Sequence, residues 1–269
     1  MRYNIIIVRF SEIWVKSLRV RKKLVKILRE NIKLALTKNK IKAKVYTSWD
    51  RIFVETNKIK KSINILRHVF GIVSVSPAIK MNLSELENNI KKYSYLAKNK
   101  KFAVRVNRVG KHNFTSKQVE EKLGELILKS VNSKVKLKNP DITFFVEIRN
   151  DIAYLYFDVV KCVGGLPLGC EDEVLCVIKN KKDLIACWLM MKRGCSVKIK
   201  TSISIKPLKK WMYSKNVEII RNDKSFSNLP LVSGNTMEDG LINSEKIIFY
   251  PIFCLSKGEI EEIYRKINS

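Results

Sequence analysis

From Tyr3 to Pro77 the hydrophobic pattern changes period in a definite order: strand, helix, strand, strand, helix, strand. Few folds accept that order. Tyr3 to Phe10 is rich in Ile and Val, and Lys16 to Leu36 repeats apolar side chains at helical spacing through Val20, Leu24, Ile27 and Leu34. Ile41 to Tyr46 and Arg51 to Glu55 alternate around Ser48-Trp49-Asp50 as a hairpin. Ile59 to Phe70 is a second helix, and Gly71 opens a last strand that stops near Pro77. The order predicts a ferredoxin-like βαββαβ unit over residues 1–80.

A second unit, residues 81–163, opens on a helix from Leu83 to Ala97 with Asn82 and Glu85 at capping-box spacing. Lys101 to Asn107 is a strand, and Thr115 to Ser130 a helix whose Thr115 and Gln118 repeat the capping pattern. The basic stretch Arg105 to Phe114 joins them. Phosphate contacts need Lys, Arg and exposed backbone N–H groups, and an unpaired base stacks on an aromatic ring. Arg105, Arg108, Lys111, His112 and Phe114 supply these side chains beside a helix N-terminus, and Lys136 and Lys138 follow further on. An ordinary strand-to-helix loop with Phe114 as a hydrophobic staple explains the same residues without RNA.

The third unit, residues 164–269, alternates strands (Val174 to Ile178, Val197 to Ile203) with helices (Leu184 to Lys192, Lys257 to Ile267), as an α/β sheet domain does. Its first strand-to-helix junction is Lys179-Asn180-Lys181-Lys182-Asp183. A phosphate cradle favours glycine there, so that backbone N–H groups can close on the anion. This junction has none.

The 269 residues hold 53 Lys+Arg against 25 Asp+Glu, a formal charge of +28, and 46% are hydrophobic. Such a chain folds, and its charge calls for a polyanion. Nucleic acid is the leading partner class. A lysine-biased genome would raise the same total, and an anionic membrane surface is the other candidate. No apolar run reaches spanning length and no signal peptide precedes the first strand, so a cytoplasmic protein is expected. The first helix concentrates Lys16, Arg19, Arg21, Lys22, Lys23, Lys26, Arg29 and Lys33 against Glu30 alone, which reads either as a solvated face or as a phosphate-tracking one.

Cys162, Cys170, Cys176, Cys187, Cys195 and Cys254 include no CxxC pair, and His68 and His112 are distant in sequence, so no metal is expected. Cys176, Cys187 and Cys254 sit in apolar runs and are expected to pack as small hydrophobes. No nucleophile-elbow pattern surrounds either histidine. The acidic trio Glu171, Asp172 and Glu173 is expected to be solvated.

Several blocks resemble the tRNA 4-thiouridine synthetase (tRNA sulfurtransferase) family. Arg9 to Lys16 resembles the GE-x-x-x-K opening, with Ser11 in place of the glycine; Arg51 to Val54 and Val69 to Ser74 are similar to two further landmarks. FAVRVNRVGKHNFTS and Val135 to Tyr156 resemble a THUMP domain. GGLPLG (Gly164 to Gly169), LIACWLMMKRG (Leu184 to Gly194), LVSGN (Leu231 to Asn235) and Tyr250 to Ile267 resemble segments of the ATP domain.

The resemblance implies an α/β architecture of three parts: a ferredoxin-like α+β domain, a THUMP domain, and a truncated doubly wound PP-loop-like domain. It implies that the first two grip tRNA, with THUMP at the acceptor end. Where the family carries an SGG-I-D-S loop to bind ATP, this chain has IKNKKD, so Lys179, Asn180, Lys181, Lys182 and Asp183 mark a vestigial ATP loop. Leu208 stands near the family's nucleophilic cysteine, and leucine carries no persulfide. The expectation is a tRNA-binding protein without catalytic residues or cofactor of its own. The alternative is a divergent sulfurtransferase using ATP and Mg, completed by a partner subunit. A homodimer and a partner modification enzyme are both left open.

Overall fold

The computed structural model describes residues 2–10, 13, 17–220, 226 and 228–269. Most of the Arg9 to Lys16 block, including Ser11 and Lys16, lies outside them. Two compact units emerge that do not follow chain order. The first comprises Met1–Ile7, Phe53–Ile59 and Ser76–Val160, and the second Val8–Ile52, Lys60–Val75 and Lys161–Ser269.

The predicted βαββαβ order is present: β1 (Ile5–Phe10), α1 (Leu18–Lys38), β2 (Lys44–Ser48), β3 (Arg51–Glu55), α2 (Ile59–Leu66) and β4 (Ile72–Asn82). Helix α1 buries Leu24, Leu28, Asn31, Ile32, Ala35 and Leu36. This is the stripe that helical spacing demands. β4 does not stop near Pro77 as expected. Proline removes one N–H from the ladder, yet Ile79 to Asn82 pair antiparallel with Leu155 to Ile152, and that pairing carries the strand on.

Next come α3 (Leu86–Tyr93), β5 (Lys101–Val109), α4 (Ser116–Ser130), β6 (Lys134–Val135), β7 (Ile142–Arg149), β8 (Ile152–Tyr156) and β9 (Val160–Lys161). The expected helix from Leu83 to Ala97 is α-helical only in its middle, with 3-10 turns at Leu83–Glu85 and Ser94–Ala97. Its capping box forms: Asn82 N–H donates to Glu85 Oε2 at 2.9 Å. Within the first unit, β8, β7, β5 and β6 lie side by side in that order, with β4 against β8 from Ile79 to Asn82. Phe102, Val104, Leu123, Ile127, Phe144, Val146 and Ile148 build its core between sheet and helices.

β7 hides an ion pair. Arg149 Nη2 donates to Glu147 Oε2 at 2.8 Å with both side chains 3% exposed, and Tyr156 Oη donates to Glu147 Oε1 at 3.2 Å.

The last third forms β10 (Glu171–Ile178), α5 (Lys181–Arg193), β11 (Cys195–Thr201), β12 (Val217–Ile219), β13 (Leu231–Val232), β14 (Ile248–Phe249) and α6 (Lys257–Asn268). All its strand pairs are parallel, in the order β12-β11-β10-β13-β14. That is a doubly wound order, reversing between β10 and β13. GGLPLG is stitched to the end of α5: Leu166 N–H donates to Lys192 O at 3.0 Å, and Gly169, Cys170 and Glu171 N–H all reach Gly194 O. Gly165 has φ +80°, and a Cβ there would lie 2.3 Å from Lys192 O. Only glycine fits.

Cys176, Cys187 and Cys195 are buried in this core as packing residues; a hydrogen bond with Cys187 and then burial push the Cys176 thiol up, and burial pushes up that of Cys195. Cys254 departs from expectation. It is exposed, because Tyr250 to Cys254 ends in a turn instead of continuing an apolar element. Glu173 of the acidic trio pairs with Lys198 at 3.4 Å. Among the described residues no group of three or more His, Cys, Asp or Glu converges as a metal site, and no helix is long and apolar enough to cross a membrane.

His68 packs edge-on against Trp211, ring centroids 4.7 Å apart, and its Nδ1 lies 2.8 Å from Asn64 O. Burial lowers its pKa from 6.5, and Lys210 and Arg67 add to the effect against the Asn64 contact. The folded state therefore favours the neutral ring. Its contribution is complete above the unfolded pKa near 6.5 and declines as pH falls toward the lower folded value. Thermal melts are expected to lose stability between pH 7 and pH 5 (about two units spanning the reference value), and His68→Gln should flatten that dependence.

Candidate functional site

The basic stretch of the first unit is shorter as a loop than its sequence suggests. β5 pairs parallel with β7 from Phe102↔Ile142 to Val109↔Arg149, so Arg105 and Arg108 lie on the strand and the loop itself is Gly110 to Phe114. Strand alternation puts the two arginines on opposite faces. Arg108 Nη1 donates to His112 Nδ1 at 3.2 Å, His112 Nε2 donates to Asn150 O at 3.0 Å, and the Arg108 guanidinium sits 5.9 Å from the Phe114 ring centroid. The His112 and Phe114 rings are 5.0 Å apart. Lys111 is exposed at the tip.

Gly110 makes this closure possible. It has φ +111°, and a Cβ would come within 2.5 Å of Asn150 Oδ1. Asn150 is the residue that sequence reasoning missed. Thr115 caps α4, receiving Gln118 N–H at 3.2 Å while its own N–H donates to Gln118 Oε1 at 2.8 Å.

Arg105 belongs to another corner. Its Nη2 donates to Leu137 O at 2.6 Å, which pins the segment carrying the exposed Lys136 and Lys138 beside β5. Lys22, Lys23 and Lys26 are exposed on α1, away from its buried stripe. The predicted contacts thus form a loop cluster (Arg108, Lys111, His112, Phe114), an edge cluster (Arg105, Lys136, Lys138) and a helix face in the second unit.

In the second unit, the reversal between β10 and β13 opens the crevice where α/β sheets bind their ligands, at the carboxyl ends of the strands. Lys179 to Asp183 and the loop after Val232 meet there. Asp183 Oδ2 accepts from Lys179 N–H at 3.0 Å and Asn180 N–H at 3.2 Å, and its Oδ1 accepts from Gly234 N–H at 3.2 Å. Asn180 Oδ1 in turn caps Asp183 N–H at 3.0 Å. A phosphate would need these same donors.

Both lysines of the helix start are also engaged. Lys182 Nζ donates to Asp239 Oδ2 at 2.6 Å and to Thr236 Oγ1 at 3.2 Å, while Lys181 pairs with Glu261 and lies 4.2 Å from the Tyr264 ring centroid. Lys182 and Thr236 hold the Asp239 carboxyl well below the usual range. Gly234 lies so close that a Cβ would sit 2.4 Å from Asp183 N. The Asn180-x-x-Asp183 spacing is a capping signal present in the sequence, and it foreshadows this closure.

Residues 5–76 match the ThiI ferredoxin-like domain and residues 82–158 the THUMP domain, together more than half of the chain. A probable tRNA sulfurtransferase of Methanobrevibacter smithii is 34% identical over 207 residues, 73% of this chain and 53% of that protein. The chain belongs to the tRNA sulfurtransferase family.

Like its other curated relatives, that sulfurtransferase is about twice as long as the part matched: the chain spans about half their length. PH1313 from Pyrococcus horikoshii is similar over its whole length, with a TM-score of 0.85, 29% identity, and coverage of 99% of this chain and 100% of that one. A 4-thiouridine synthetase solved as an RNA complex with bound ATP shares the fold, at TM-score 0.77 and 21% identity over 98% of this chain and 85% of that one. Leu208, near the position of the sulfurtransferase nucleophile by resemblance, is fully buried in the 3-10 turn Lys206–Trp211.

Proposed function

We propose that this chain is a tRNA-binding member of the sulfurtransferase family that does not adenylate or thiolate tRNA by itself. The observation that carries this reading is the Asp183 carboxylate, which engages the N–H donors of Lys179, Asn180 and Gly234. Two features speak against ATP in this crevice: its phosphates would meet the Asp183 and Asp239 carboxylates, and Lys182 is already paired. The buried Leu208 offers no nucleophile in support of sulfur transfer.

The tRNA part of the reading rests on the THUMP and ferredoxin-like matches, on the +28 charge, and on the exposed Lys22, Lys23, Lys26, Lys111, Lys136 and Lys138. A solved relative in the family binds RNA. The acceptor end is the expected target, with the loop cluster offering a guanidinium and two rings to an unpaired terminus. A cytoplasmic site of action and a homodimer or partner enzyme belong to the same proposal.

Two measurements test it. Calorimetry with Mg-ATP is expected to give no saturable heat; specific binding lost on Lys182→Ala would support the divergent-enzyme alternative instead. Filter binding of tRNA is expected to weaken with Arg108→Ala plus Lys111→Ala, with the salt slope falling by about one to two units. An unchanged slope and affinity would move the contact to α1.

A further inference from the structure

Helix α4 and the strip from β6 to Leu137 border an open cavity of about 370 Å³. Phe102 and Val104 of β5 line it, with Leu128, Val135 and Leu137 at its mouth. These last three are 44%, 52% and 62% exposed. Converging apolar side chains left open to water mark an interaction site more often than isolated ones do. The lysines that alternate with them, Lys134, Lys136 and Lys138, stay outside the lining.

Gly124 adds an independent sign. It lies inside α4, where glycine weakens a helix relative to alanine. Its φ is not in the left-handed region, and an added Cβ would meet nothing within 4 Å. Neither the backbone nor a described neighbour requires glycine here. Its bare Cα keeps the groove wide.

Charge says what enters. Glu120, Glu121 and Glu125 stand around this groove with Lys117, in a chain of net charge +28. Glu120 is engaged by Val106 N–H at 2.8 Å. Glu121 and Glu125 have only loose, exposed ion pairs at 3.9 Å with Lys117 and Lys129, which exchange readily for better partners. A polyanion would be repelled by these carboxylates. We propose that the groove docks a basic segment of a partner protein, whose Leu-sized side chains enter between α4 and the β6 strip while its Lys or Arg side chains meet Glu121 and Glu125.

A fluorescein-labelled amphipathic peptide of Leu and Lys at helical spacing serves as the probe, read by anisotropy against the full chain. The net charge of +28 disfavours such a peptide elsewhere, and loss of binding in groove variants assigns it to the groove. Leu137→Asp is expected to weaken it by about tenfold or more, and Glu121→Lys with Glu125→Lys by severalfold, the charge-reversal pair leaving tRNA affinity unreduced. These positions are exposed, so circular-dichroism melts should match wild type. Gly124→Leu, which fills the cavity, should weaken the peptide as Leu137→Asp does. Equal binding by the variants, or equal binding of a peptide with Glu replacing Lys, would overturn the proposal. So would light scattering showing a wild-type dimer that Leu137→Asp dissociates, which would assign the groove to a second copy.

Discussion

Glu147→Ala is expected to destabilise the first compact unit by about 3–5 kcal/mol, because it leaves Arg149 buried without the carboxylate it faces. The two side chains are 3% exposed and 2.8 Å apart, and Tyr156 Oη also donates to Glu147. A folded domain holds only about 5–15 kcal/mol in total, so such a loss brings it near unfolding at physiological temperature. Urea titration should show the midpoint falling with little change in slope. The double variant Glu147→Leu with Arg149→Met should recover much of the loss, since it removes the desolvation cost of both buried charges along with the bond. If the single and double variants are equally unstable, the pair is not what holds this region together.

Asp183→Ala is the second large effect. One carboxylate accepts the N–H groups of Lys179, Asn180 and Gly234, so its removal uncaps α5 and detaches the loop after β13 together. Hydrogen bonds to a charged acceptor contribute about 1.5–3 kcal/mol each, but Asp183 is half-buried and water replaces part of them; a net loss of about 2–3 kcal/mol is expected. Asp183→Asn keeps one acceptor oxygen and should fall between. Thermal melts of the three proteins decide the matter. A variant as stable as wild type would mean that the donors are satisfied without the carboxylate.

Local signals in the sequence translated directly into structure. The βαββαβ order and the capping boxes at Asn82/Glu85 and Thr115/Gln118 depend on neighbours within a few residues, and all formed. Long-range pairing was not legible. β4 runs past Pro77 because β8, more than seventy residues on, offers it a ladder, and β5 reaches Val109 because β7 does the same. In ITFFVEIR, charges at Glu147 and Arg149 suggest a solvated face, yet Phe145 stacks on Tyr156 there, ring centroids 5.1 Å apart, and both charges are buried.

The candidate site divides in the same way. Lys111 and Phe114 could be chosen by residue type, whereas the split of Arg105 from Arg108 depends on strand parity extending two residues beyond the expected end. The crevice illustrates it best. The glycine-free spacing of Lys179 to Asp183 is legible in the sequence, but the convergence of the Lys179, Asn180 and Gly234 N–H groups on Asp183 is not.

The parallel pairing of β5 with β7 also governs the order of events in folding. Lys101 N–H meets Asp141 Oδ2 across 40 residues, and α4 lies in the connection that must close before the two strands can pair. Closing so long a loop gains nothing until the helix has docked, so refolding of this unit should wait on α4. Ile127→Val, in the buried face of that helix, should slow refolding measured by stopped flow, while changes at the β7–β8 turn should mainly hasten unfolding. A chain leaving the ribosome would then hold β5 beyond Phe102 without its β7 ladder until residue 149 has emerged, the interval in which a chaperone would find it.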